Sequence, residues 1–518
     1  MRGGVGFAAV AIASALAWVG CDSDRGASDA DPRPNILWVV WDTVRADRMS
    51  LYGHSVKTTP ELDRWARDAR VYENVVSAAN TTESSHASMF TGLLPSQHGT
   101  DAAHRWLDDS FDTVAEGLQR AGYRTYLWSA NPSVSAEENF QQGFDRVEHP
   151  WDDEFRVAAR LIVERKVEGD RSSELHRRLA RGNPGPWAIK AAGSLVAGAL
   201  ERWLAQSESS RPWFAVLNYM EAHRPLVPER HFREKVMTPA EVERSYEVDR
   251  SWTGMWEFTA GLREFSAEDL RVMQGTYDAA LLELDGLFAQ LLTSLAAHGD
   301  LDNTVVILTS DHGELLGEKH MLDHQFSLHG ALTNVPLVIR FPDRFAPGRE
   351  RRPVATRDLY STVLELASIE VPGGGSERSS QSLLRPRESR ARLSEYTAAN
   401  TKTLRVLVDK HPGFDIEPFE RQLRALRDGD SKFIWSSDGR HELYDLARDP
   451  GEVHDRAEGD PDSAQRMQER LDAFLAQLDG LGFQRDEAPV PSQEHREMLE
   501  SLGYGVSGES ENHDRSKN

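Results

Sequence analysis

Apolar residues along the chain fall into short unbroken runs, separated by longer stretches of helical spacing. "NILWVVW" fills Asn35–Trp41 and stops at Asp42. "YRTYLWS" (123–129), "PWFAVLNY" (212–219), "NTVVILTS" (303–310) and "VPLVIRFP" (335–342) repeat the design, ending respectively in a turn, just short of His223, at Asp311, and in a proline. Solid runs of strand length predict strands covered on both faces, as in a parallel sheet. Between them lie helical patterns, the clearest over 277–298, where Ala280, Leu284, Leu287, Phe288, Leu291 and Leu295 share a face. Such alternation predicts an α/β fold: a doubly wound, mostly parallel central sheet with helices on both faces.

The outer parts of the chain read differently. Residues 151–210 lack strand runs and predict a charged helical insertion. After Val371, "PGGGSERSSQS" is a linker rich in helix and strand breakers. "SKFIWSSDGRHELYDL" predicts two strands around an Asp-Gly turn, and a helix is expected near 462–478. These features give a catalytic-size domain over 35–372, a small antiparallel subdomain over 373–484, and a polar tail over 485–518, expected to be disordered after Gly505.

Composition narrows the partners. The 518 residues carry 83 acidic against 60 basic side chains, a formal net charge of −23. That balance argues against nucleic acid or an anionic membrane surface as partner, so an anionic substrate has to be met by a local cation. The single cysteine, Cys21, excludes a disulfide framework and a Cys-rich metal site. It follows an uncharged, mostly apolar run over 5–19 that is too short to span a bilayer. "GC" after that run resembles a bacterial lipoprotein signal, with 1–20 removed, Cys21 lipidated and 21–34 serving as tether. An ordinary secretory signal is the alternative, since Trp18 is unusual at its place. Either way the expected location is extracytoplasmic, in the first case a bacterial cell envelope with a lipid anchor as the only membrane contact.

Candidate chemistry sits where strands end. Ligands of open α/β sheets bind at the carboxyl ends of the strands. Asp42, Asp311, His312 and His223 all fall just after predicted strands. Two carboxylates and an imidazole brought together would repel and lose hydration, and a divalent cation removes that cost. "NTTESSHASMFTG" (80–92) adds a hydroxyl cluster before an apolar segment, "ASMFTG", that reads as the first turns of a helix. Hydroxyls there are either helix caps or groups facing an anion at the helix N-terminus.

Several of these blocks, in order, resemble the sulfatases of the alkaline phosphatase superfamily. "NILWVVWDTVRADRMSLYG" is similar to the family's opening strand and loop, and "TESSHASMFTGLLPSQHG" to its nucleophile region. "YDAALLELDGLFAQLL", "NTVVILTSDHGELLGEKHML", "NVPLVIRFP", "RDLYSTVLELASIEVP" and "KFIWSSDGRHELYDLARDPGE" come next in the family's order, so the resemblance covers about 35–452. It departs where the chemistry lies. Thr82 stands where the family has a Cys or Ser that is oxidised to formylglycine, Ser84 replaces the motif's proline, and His86 its arginine. Threonine cannot give that aldehyde. "GKWH" is missing after Tyr123, with "WSANP" in its region; His324 replaces a lysine, and Thr43 the second Asp of the opening pair.

With threonine at the nucleophile, the sequence looks closer to the superfamily's nucleotide phosphodiesterases and lipoteichoic-acid synthases, which use an unmodified threonine. The resemblance implies one divalent metal held by Asp42, Thr82, Asp311 and His312, with Thr82 as nucleophile forming a phosphoryl intermediate. Thr81 is the rival by proximity, and the alignment favours Thr82. His223 and His324 are the expected catalytic histidines, and His86 and Asn131 the expected substrate contacts. Ser84, Ser85 and His86 are expected to shape the turn, Arg45 and Asp47 to pin the first loop, and His98 to pack. The imidazole ligand favours manganese or zinc, with magnesium and calcium as the other candidates. The expected function is hydrolysis or transfer of phosphate esters. A sulfatase acting without formylglycine, and an inactive binding lipoprotein of the same fold, are the alternatives.

Overall fold

The computed structural model describes residue 1 and residues 33–168, 185–206, 211–299, 301–372, 381–385, 391–397, 401–478 and 488–504. The signal-like run, Cys21, most of the breaker-rich linker and the tail beyond Tyr504 lie outside the described residues.

Eight strands make the central sheet: β1 (Asn35–Trp41), β2 (Arg70–Tyr72), β4 (Arg124–Ser129), β5 (Arg146–Glu148), β6 (Trp213–Tyr219), β7 (Thr304–Thr309), β10 (Leu337–Arg340) and β11 (Gly348–Glu350), with β3 (Val75–Val76), β8 (Leu315–Leu316), β9 (Leu322–Asp323) and β12 (Val354–Ala355) forming two small ribbons beside it. Their order is β11-β2-β10-β7-β1-β6-β4-β5. The centre is parallel, and only β10 runs antiparallel, against β7 and β2. The expected mostly parallel α/β sheet is therefore present, and the five long apolar runs are five of its strands.

β1 shows why those runs are solid. Leu37, Val39 and Trp41 enter one core with Tyr277, Leu281, Leu284 and Phe288 of the helix Ala267–His298. Ile36, Trp38 and Val40 enter a second core with Phe90, Leu118 and Val363. Both faces are covered, so alternation with polar residues is absent. The long helix begins ten residues before the apolar pattern suggests, at a capping box: Ser266 Oγ accepts from Asp269 N at 3.0 Å while the Asp269 carboxylate takes the Ser266 side.

Past the central sheet, β13 (Arg392–Tyr396), β14 (Leu423–Asp428), β15 (Ser431–Ser436) and β16 (Glu442–Asp445) form an antiparallel sheet. β15 and β16 are the expected hairpin, and the helix Pro461–Leu475 packs Met467 and Leu471 over them. This sheet grips the segment leading to the hydroxyl cluster: Glu395 N donates to Ala78 O at 2.8 Å, and Ser394 Oγ to Ser77 O at 2.6 Å. The tail read as polar contains a helix, Gln493–Ser501, and returns the chain to the core through Leu499, Leu502 and Tyr504.

Candidate active site

Sheet register brings the acidic residues together. Val40 pairs with Thr309 and Trp41 with Tyr219, so Asp42, Asp311 and the loop carrying His223 leave the same edge. Asp42 N donates to Tyr219 O at 3.0 Å, fixing the first carboxylate as an extension of the ladder. Thr43 then adopts φ +60°, a left-handed conformation that costs a β-branched residue about 1–3 kcal/mol. The turn aims Thr43 N at Asp311 Oδ1, 3.1 Å away. Tyr277 holds it, its hydroxyl donating to Thr43 O at 2.7 Å and accepting from Arg45 N at 3.0 Å. Arg45 pins the rest of the loop through Asp47 (2.7 Å) and Glu318 (2.8 Å).

The hydroxyl-rich segment enters a helix at Thr82, five residues earlier than the apolar residues indicate. All ten residues of Thr82–Thr91 are buried, which is why hydroxyls and apolar groups mix without a polar face. Thr81 occupies the cap position but its hydroxyl donates to Ser84 Oγ at 3.0 Å and makes no cap bond to the backbone. The first helical bond runs from Ser85 N to Thr81 O, leaving Thr82 at the positive end of the helix. Ser85 Oγ donates to Ala79 O at 3.1 Å, and His86 Nδ1 meets Thr82 O at 2.9 Å, so both brace the first turn. His98 packs against Ser88, Nε2 to Oγ at 3.0 Å.

Thr82 Oγ1 lies 3.4 Å from His312 Nε2 and accepts from Asn131 Nδ2 at 3.3 Å. The same Asn131 amide donates to Asp42 Oδ2 at 2.8 Å, so Asn131 orients the carboxylate and hydroxyl relative to each other. His312 Nδ1 faces Gly313 O at 3.0 Å; a carbonyl only accepts, so Nδ1 carries the proton. The Nε2 lone pair then points among acceptors, with Asp311 Oδ2 only 3.5 Å away. Asp311 Oδ2 and Asp42 Oδ1 are buried without a hydrogen-bond partner.

That arrangement suits a cation. Burial, then each other's charge, pushes the Asp42 carboxyl up to about 7, and burial pushes Asp311 up to about 7 against the N–H donors of Thr43 and His312. Burial also holds His312 below the ordinary imidazole value, keeping its lone pair free. Ligand atoms of Asp42, Asp311 and His312 lie within 4.8 Å of one another. The buried Asp/Asp/His group therefore fits a divalent ion, and the His312–carbonyl bond is the usual outer support of a metal-binding imidazole. Glu314, Asp323 and His324 are equally close to each other, but Arg224 Nε stands 3.0 Å from Asp323 Oδ2 and Trp256 Nε1 donates to it at 2.7 Å. There the positive charge is already supplied.

The remaining expected residues form a second group. The His223 and His324 rings are 5.3 Å apart, and His324 meets His312 edge-on at 4.7 Å. His223 Nδ1 faces Arg224 O at 2.6 Å, which leaves Nε2 as the acceptor. Burial drives His223 far below its usual value, assisted by Arg224 and His324, and brings His324 to about 3, so both rings are neutral. His86 is likewise brought to about 3 by burial.

Two residues here escaped sequence reading. Lys190, fully buried, donates to the carbonyls of Met220 and His223 and so fixes the His223 loop; burial lowers it to about 7 against the pull of Glu221. Tyr504 places its hydroxyl 2.7 Å from His223 Nε2 and 3.3 Å from His324 Nε2. A lysine inside a helical insertion carries no sequence signal for this role. Tyr504 was foreshadowed only by Ser492, the helically spaced Met498, Leu499 and Leu502, and Gly503.

Comparison with known proteins agrees with this geometry. The family profile described as Sulfatase matches residues 34–369. The chain is 22% identical over 458 residues to an arylsulfatase of Clostridium perfringens, covering 81% of this chain and 89% of that protein. It is 26% identical over 499 residues to arylsulfatase K of Bos taurus, covering 90% and 87%. The crystal structure of a phosphonate monoester hydrolase of Agrobacterium radiobacter superposes with a TM-score of 0.64 at 22% identity, covering 89% of this chain and 100% of the other.

Proposed function

The chain belongs to the sulfatase family, and from that premise we propose that it is a metal-dependent phosphate-ester hydrolase whose nucleophile is the unmodified hydroxyl of Thr82. Membership makes it an ester hydrolase of sulfate or phosphate esters. The observation that carries the finer reading is the place of Thr82 Oγ1: at the first residue of a buried helix, 3.4 Å from His312 Nε2 and 3.3 Å from Asn131 Nδ2.

Asp42, Asp311 and His312, with Thr82 itself, would hold the ion, manganese or zinc before magnesium or calcium. When bound, the ion lowers the pKa of the hydroxyl and neutralises charge on the transferring group. Asn131 and the helix N-terminus would aim Thr82 Oγ at phosphorus; the bond to the ester's alcohol breaks as the new P–O bond forms, and the proton given up by the Thr82 hydroxyl ends on the departing alcohol oxygen. His223 Nε2, an acceptor in the tautomer set by Arg224 O, takes the proton of the water that later cleaves the phosphothreonine. A sulfated threonine lacks the elimination route open to a formylglycine hydrate, which favours phosphate. The sulfatase names of the relatives make sulfate monoesters the second class to test.

High-resolution mass spectrometry of metal-loaded protein, quenched while turning over a phosphate monoester or diester, should find phosphate on Thr82. Turnover without that adduct, or efficient sulfate-ester cleavage by protein with unmodified Thr82, would reject the assignment.

A further inference from the structure

The segment 488–504 brings Tyr504 into the candidate active site. Its helix opens on Ser492, whose Oγ accepts from His495 N at 3.2 Å, and buries Met498 and Leu499. The chain then reverses at Gly503, φ +74°, where a Cβ would stand 2.8 Å from Trp252 and 2.9 Å from Arg224. Only glycine makes that turn at that approach. It delivers Tyr504 parallel to the His324 ring (6.0 Å, 4°), with the guanidinium groups of Arg105 and Arg224 at 5.6 and 5.7 Å from its ring centre.

The phenol is a poor candidate for an acid. His223 Nε2 can only accept, so it takes the phenol's proton as a hydrogen bond, and burial raises the phenol well above its ordinary value. With Tyr504 seated, Thr82 is 1% exposed and Asp42, Asp311, His312, His223 and His324 are 0% exposed. An ester that places its leaving oxygen by His223 and His324 needs the space the phenol fills.

We propose that the C-terminal segment is an intramolecular competitor for the substrate, with Tyr504 occupying the leaving-group position until the segment over 493–504 lifts. The proposal rests on the assignment of the His223/His324 side to the substrate. An ester that displaces Tyr504 gains Arg224, whose buried Nη2 has no hydrogen-bond partner in the closed form. A site open for only a fraction of the time shows affinity reduced by that fraction, so a population of about 1–10% open costs about 10- to 100-fold.

The test uses the metal-loaded full-length protein and inorganic phosphate. Titration calorimetry should show phosphate binding at least ~10-fold tighter in Tyr504→Ala than in the wild type, with Tyr504→Phe between them. Hydrogen exchange of the wild type should quicken over 493–504 at saturating phosphate while the helix Ala267–His298 stays unchanged, which guards against a folding defect. Unchanged phosphate affinity in both variants, or unchanged or slowed exchange over 493–504, overturns the proposal. So does lost turnover in Tyr504→Ala at unchanged phosphate affinity, which would make the phenol part of the machinery. Neither readout depends on a phosphothreonine, so failure of the Thr82 assignment is seen separately.

Discussion

On one side of the site, Asp42, Asp311 and His312 each continue a strand of the central sheet, and Thr82 heads a helix buried on every face. On the other, His223 and His324 hang from loops and are bridged by a hydroxyl 180 residues beyond the second of them. The first side inherits its distances from a hydrogen-bonded ladder, where Val40 opposite Thr309 leaves little freedom to the residues just beyond the strand ends. The second depends on side chains meeting across segments, with Lys190 and Tyr504 as its ties. Rigid placement suits the proposed nucleophile and an ion, whose geometry must not drift, and adjustable placement suits groups proposed to receive different alcohols.

Substitutions on the two sides should therefore fail differently. Thr82→Ala is expected to lower kcat at least ~10³-fold and to weaken metal binding less than loss of a carboxylate does, since it removes a neutral oxygen and no charge, checked by turnover and metal analysis on one preparation. Asp311→Asn should lose activity and metal together, with metal affinity down ~10²-fold or more. A fully occupied site in that variant would break the distinction between the sides. His223→Gln should cost about 10²-fold in turnover with metal content intact, and accumulate phosphate on Thr82 if dephosphorylation is the step affected.

Acid should act on the carboxylate side first. Asp42 and Asp311 stand at about 7, above their ordinary value, so below pH 7 protons compete with the ion for them. Metal affinity should fall by roughly tenfold per pH unit below 7 for each carboxyl that titrates, and level off above it. Calorimetric metal titrations between pH 6 and 8 check the sign; affinity that rises on acidification would contradict it. His223 and His324, already neutral, should add nothing to that slope.

The two sides also differ in how far the sequence discloses them. Unbroken apolar runs end at Asp42 and Asp311, and the strand-end rule joins them without any knowledge of long-range contacts. The same rule finds His223. It cannot find Tyr504, because a phenol after a short polar helix gains its place from packing against Trp252 and Arg224, far away in the chain. Capping chemistry was the other gap: Ser266 and Asp269 start the long helix before its apolar stripe begins, and Thr82 starts its helix among hydroxyls. Periodicity detects the face a helix buries, and it is silent about turns made of polar residues.

Placing the bridging hydroxyl at residue 504 also sets an order in time. A ribosome releases the strands of the central sheet, ending with Glu350, and the proposed ligands Asp42, Thr82, Asp311 and His312, more than a hundred residues before it releases Tyr504. The growing chain thus carries the proposed reactive residues well before the contact that covers them. A nascent or prematurely ended chain would present that centre uncovered, and translation itself determines how long the interval lasts.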